Sequence, residues 1–234
     1  MFRTHPQPVA VVIGADRPLA AQVCQDLAAT HHYTVVATAA DARKIPQRLR
    51  GIGVERVRLD VLDESAVRRF FTEHANAYQR LDAVLYLPRP TADGHAGPLD
   101  LPGHLPGLLA TNAVAPWTCL AYAARWLTEF NGHSLVLTEA DCSRMGGQAP
   151  GLQMSQAALH RYAELLAAEF SSHPGDPDGD QPVVSTVRVD PWTEQDPAGL
   201  AALAEEIVRA ALGRTAGQHG ADDHGAVPAR SASD

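Results

Sequence analysis

The chain has 234 residues, 45% hydrophobic and 20% charged, with a formal net charge of −8 and three cysteines. That length supports one sizeable core, and an acidic balance without a cationic cluster argues against a surface for nucleic acid or anionic membranes. Cys24, Cys119 and Cys142 are widely spaced and odd in number, which fits reduced thiols in a cytoplasmic protein better than a disulfide framework.

The opening "MFRTHPQP" has no apolar core of signal-peptide length, and no apolar run approaches the roughly 20 residues of a membrane span. "VAVVIG" (9–14) then reads as a buried strand and 19–30 as a helix. Strands follow at 33–38 and 54–61. Between 63 and 78, Val67, Phe70, Phe71 and His74 recur at helical spacing behind Asp63, a residue suited to capping. "LDAVLYL" (81–87) is a fourth strand, and a long helix runs from about Leu105 to Leu127. A strand at 133–138, a helix from about 152 to 171, a strand at 183–189 and an amphipathic helix ending near Leu212 complete the series. Six β-α repeats predict an α/β fold, a Rossmann-like, doubly wound, mostly parallel six-stranded sheet with helices on both faces. Residues 1–212 form one domain in this reading.

Two stretches break the pattern. "SSHPGDPDGDQP" (171–182) imitates the start of a calcium loop, but Gln181 stands where glycine is required and Val187 where a bidentate glutamate is needed, so it reads as a solvated loop. From Gly213 the chain is small and polar without apolar periodicity, which predicts a disordered tail over 213–234. The eleven histidines show no ligand spacing, so no metal site is expected.

A doubly wound sheet binds ligands beyond the carboxyl ends of its strands. After strand one stands "IGADRPLA", with Gly14 and Arg17; after strand three, Asp60 and Val61; in the long helix, Asn112; after strand five, Glu139 and Ala140; then "GLQMSQAALH" (151–160), and Pro191, Trp192 and Thr193 after strand six. In order and spacing this resembles the short-chain dehydrogenase/reductase family over roughly residues 9 to 212. The resemblance implies a dinucleotide site at Gly14, Arg17, Asp60 and Val61, with Arg17 where some members favour the 2′-phosphate of NADP. It places the family's catalytic asparagine, serine, tyrosine and lysine at Asn112, Glu139, Leu152 and Gln156, of which only Asn112 matches.

In that family the tyrosine phenol is the general acid or base, and the lysine one helical turn on lowers its pKa. Leu152 transfers no proton and Gln156 carries no charge. A misplaced frame does not rescue the pair, because the only lysine is Lys44, with Ala40 four residues before it. Tyr162 lies about 15 Å along the helix from Leu152, at a spacing with Leu159, Leu165 and Leu166 that marks it as core. Trp117, with Leu120 and Leu127, reads as packing. The nucleotide loop is altered too: Pro18 has no N–H but suits a helix start, Asp16 offers a carboxylate cap where phosphate would sit, and "YLPR" (86–89) adds bulk. These changes predict weakened or lost dinucleotide binding, with NADP as the cofactor if one is held.

Three readings compete. The first is a protein of this fold without the standard carbonyl-reducing site, acting as a binding or assembly subunit. The second is a divergent NAD(P)-dependent oxidoreductase. The third is a cofactor-independent enzyme using Glu139 or Asp141, which otherwise read as loop carboxylates, while Cys142 as a nucleophile lacks an adjacent histidine in sequence. By analogy with the family, helices 105–127 and 152–171 predict a homodimer, or a heteromer with an active relative.

Overall fold

β-Branched runs and helical stripes alternate along the chain, and the computed structural model, which describes residues 7–87, 105–140, 150–172, 182–189 and 196–212, shows what they build. The strands are β1 (Val9–Ile13), β2 (Thr34–Ala39), β3 (Glu55–Arg58), β4 (Ala83–Tyr86), β5 (Ser134–Ala140) and β6 (Val183–Val189). Among the described residues they form one parallel six-stranded sheet in the order β3-β2-β1-β4-β5-β6. This is the Rossmann-like order, with its switch point between β1 and β4.

The helices are α1 (Pro18–Ala29), α2 (Glu64–Tyr78), α3 (Leu105–Leu109), α4 (Ala115–Glu129), α5 (Pro150–Ser172) and α6 (Pro197–Ala211). Strand alternation separates two cores. Ala10, Val12, Val35, Leu85 and Val136 face α1 and α6 through Leu19, Cys24, Leu27 and Ile207. Val11, Ile13, Val84, Leu135 and Leu137 face α2, α4 and α5 through Phe70, Phe71, Leu120 and Leu159.

Asp63 caps α2 as its chemistry suggests, accepting from Ala66 N at 3.1 Å. Asp16 does not cap α1: the N-cap is Arg17, whose side chain makes no capping bond, and Pro18 already takes the first helical position. The connection from β2 to β3 is not an α-helix but two 3₁₀ turns, Ala42–Lys44 and Gln47–Ile52, since Pro46 and two nearby glycines interrupt it. β3 is half as long as the run 54–61.

The long helix is broken. Between α3 and α4 lies a π-helical turn, Ala110–Val114, in which Ala115 N–H bonds Ala110 O, five residues back. Pro116 explains it: in α geometry its missing N–H would have served the carbonyl of Asn112. Two residues expected in the core are also displaced, for Trp117 and Leu165 are 53% and 52% exposed. They lie on the outer sides of α4 and α5, away from the stripes that cover the sheet.

Asp82 ties the amino ends of the central strands together. Its Oδ2 accepts from Val9 N at 2.8 Å, Arg80 grips both its oxygens, and its carbonyl accepts from His133 N and Ser134 N. No described helix is long and apolar enough to cross a membrane. The expected tail, 213–234, and most of the 171–182 loop lie outside the described residues.

Candidate functional site

At the carboxyl ends of β1, β2 and β3 lies a cleft of about 440 Å³, lined by Ile13, Gly14, Asp16, Arg17, Pro18, Ala39, Ala40, Leu59 and Val61. Its wall toward β2 and β3 is apolar, and its other wall is the turn that opens α1. Gly14 makes that turn at φ 89°, a conformation side chains disfavour. The amides of Gly14 and Ala15 both donate to Thr38 O, at 3.0 and 2.8 Å, which fastens the turn to β2.

Of the residues expected to hold a dinucleotide, Gly14, Arg17 and Val61 therefore line one cleft. Asp60 stands beside it, exposed, with Oδ1 accepting from Leu62 N at 3.0 Å. Arg17 is buried, and its Nη1 donates to Leu87 O at 2.8 Å, just past β4. The guanidinium thus spans the switch point. Asp41, just after β2, is held by Arg43 through Nε and Nη2, and those bonds push its carboxyl down to about 2. One apolar wall, a tight glycine turn, a helix N-terminus and a cation are features that could receive the adenosine end of a dinucleotide.

The second group sits where β5 meets α5 and the π turn. Asn112 is buried in that turn, which packs on α5. Leu152 is 2% exposed. Ser155 Oγ donates to Leu152 O at 2.8 Å, and Gln156 Oε1 accepts from Ala140 N at 2.7 Å. Gln156 is a cross-tie between α5 and the end of β5.

Glu139 is not a loop carboxylate. β5 runs through Ala140, so Glu139 is a buried strand residue facing the α4 and α5 side. Its Oε1 is 2.9 Å from Nδ1 of His160. Nε2 of the same ring lies 3.5 Å from Glu164, which Arg161 binds at 2.7 Å. That bond from Arg161 holds the Glu164 carboxyl below its ordinary range.

Sequence reasoning missed His160. The available signal was the series 152, 156, 160, whose members share one face of an α-helix. Asp141, Cys142, Ser143, Arg89, Pro191, Trp192 and Thr193 lie outside the described residues.

No protein-family model matches the chain, and no curated protein matches it. Solved structures do. A metagenomic short-chain oxidoreductase in complex with NADP is 21% identical, over 89% of this chain and 91% of that one, with a TM-score of 0.69. An alcohol dehydrogenase from the archaeon Thermococcus sibiricus, complexed with 5-hydroxy-NADP, is 19% identical over 86% and 89%, with a TM-score of 0.68. A short-chain dehydrogenase from Streptomyces avermitilis is 16% identical over 87% and 83%, with a TM-score of 0.66. At these identities the shared property is the fold.

Proposed function

We propose that the protein is a divergent NAD(P)-dependent oxidoreductase of the short-chain fold, with the adenosine end of the dinucleotide in the cleft beside Gly14, Ala39, Leu59 and Val61. The observation that carries this reading is the cleft itself, at the carboxyl ends of β1 to β3 and beside the helix N-terminus that follows β1. Two of the similar solved structures are described as complexes with NADP or a derivative, which supports NADP as the first ligand to try. When bound, the dinucleotide would supply or accept a hydride. Leu59 and Val61 would flank the base, and Arg17 would lie nearest the phosphates.

Calorimetric titration with NADPH tests this. Binding below millimolar concentration that is abolished by Ala40→Trp, which fills the cleft, is the expected result. No heat at millimolar NADPH overturns the reading.

Leu152 and Gln156 favour a second reading, a binding or assembly subunit. On the family's pattern they replace the phenol and the ammonium, and Gln156 is engaged with Ala140. Val114, Trp117, Met154 and Leu165, exposed on and beside α4 and α5, support self-association or pairing with a relative through these helices. NADPH binding without turnover of carbonyl compounds would favour this second role. Sedimentation of a dimer that Trp117→Ser or Leu165→Ser dissociates would support the association.

A further inference from the structure

Glu139 and His160 join a buried carboxylate to the surface. The Glu139 side chain is 7% exposed, whereas those of His160 and Glu164 are 46% and 50% exposed. With the proton on the ring, Nδ1 of His160 donates to Glu139 Oε1, a carboxylate oxygen that can only accept. Nε2 is then the ring nitrogen that exchanges with solvent, beside Glu164 at 3.5 Å. Oε1 is the carboxylate oxygen that faces the imidazole.

The neighbouring tie fixes this geometry. Gln156 holds Ala140 N one helical turn before His160, so consecutive strand residues are bound by consecutive turns of α5. Among the described residues no three His, Cys, Asp or Glu side chains are grouped to hold a metal ion, so the pair is not part of such a centre there. A buried carboxylate with an oriented imidazole behind it is an acid/base arrangement.

We propose that Glu139 and His160 form a proton relay, in which Glu139 Oε2 is the acid/base end and His160 Nε2 is the exchange point with water. The relay rests on the oxidoreductase reading, because its partner reaction is the two-electron reduction of a carbonyl by a nicotinamide dinucleotide. The carbonyl carbon gains the hydride, the C=O π pair moves onto oxygen, and that oxygen needs one proton. His160 passes its Nδ1 proton to Glu139 and takes one from solvent at Nε2, and the Glu139 carboxyl so formed gives its proton to that oxygen and is a carboxylate again. In the oxidative direction each transfer reverses.

Wild type, Glu139→Gln and His160→Gln are compared in two assays, NADPH binding by calorimetry and NADPH oxidation with an aromatic aldehyde, a cyclic ketone and a 2-oxo ester. All three proteins should bind NADPH within about twofold of one another, since neither side chain lines the cleft. Glu139→Gln keeps the shape of the side chain and should lose at least about 100-fold in rate. His160→Gln should lose roughly tenfold, and added imidazole should restore it while leaving Glu139→Gln unrescued. In the cofactor-free protein, a proton-bearing Nδ1 of His160 should appear in ¹⁵N–¹H NMR spectra and disappear in Glu139→Ala.

NADPH binding with no wild-type turnover, or with full turnover by Glu139→Gln, overturns the relay and leaves the cofactor reading standing. Absence of NADPH binding overturns both. An unprotonated Nδ1 in the wild-type protein overturns the relay whatever the kinetics.

Discussion

Arg17 and Leu87, seventy residues apart in sequence, are joined by a 2.8 Å bond from the guanidinium Nη1 to a main-chain oxygen. The bond is buried and links the turn after β1 to the end of β4, so it crosses the place where the winding of the sheet reverses. Removing the donor leaves a buried carbonyl without that partner. Arg17→Met should therefore destabilise the protein by about 1–3 kcal/mol in urea denaturation. A change within a few tenths would show that water replaces the guanidinium at no cost.

Asp82 should be less tolerant than its partner Arg80. Asp82→Ala strands the buried amide of Val9 and is expected to cost about 1–3 kcal/mol. Arg80 is about a third exposed and contributes through a partly solvated ion pair, so Arg80→Met should cost less, about 1 kcal/mol or under. Equal losses in chemical denaturation would mean that the ion pair, not the amide bond, holds the strand ends.

Gly132 has no room for a side chain. A Cβ there would stand 2.3 Å from Leu81 O and 2.5 Å from Leu127 Cδ2. Gly132→Ala must push β5 away from the end of α4, and a loss of about 1–3 kcal/mol follows from overpacking. A melting temperature unchanged from wild type would contradict the packing.

Alkaline pH should weaken the fold. Burial pushes the Cys119 thiol up to about 12 and the Cys24 thiol higher still, from an ordinary 9.0, and raises the Tyr33 phenol from 10.0 to about 12. Above about pH 9 the unfolded chain therefore releases protons that the native chain keeps. Stability from these groups is complete below pH 9 and is lost as pH rises toward 12. Urea midpoints between pH 8 and 10.5 should fall, and neither thiol should react with an alkylating reagent in the native protein at pH 8.5. Labelling of either at the rate of free cysteine would refute their burial.

The sheet was legible because its central strands are apolar on both faces, and a run such as "VAVVIG" has few other fates. The order of helices and strands then left few parallel arrangements. Periodicity could not separate a helix that covers the sheet from one whose outer side is also apolar, so Trp117 and Leu165 looked like core. The π turn was hidden for a different reason: apolar spacing runs on across Pro116, and only its missing bond to the carbonyl of Asn112 marks the break. In the site, the short-range features of the Gly14 turn were readable. Arg17 with Leu87 and Glu139 with His160 were not, because each pairing is made only when separate elements pack. Sequence spacing carries no record of that.

Leu108 and Leu127 are both buried although they stand nineteen positions apart, whereas five turns of regular helix take about 18 residues. The surplus residue is absorbed between Ala110 and Val114. Because the wide turn takes up that residue, removing one amino acid there would leave about five regular turns and the same faces on either side. A deletion in the regular part of α4 has no such outlet and would turn the residues beyond it by about 100°. The facing of α4 is therefore kept in step with α3 by Ala110–Val114, where the one surplus residue is taken up.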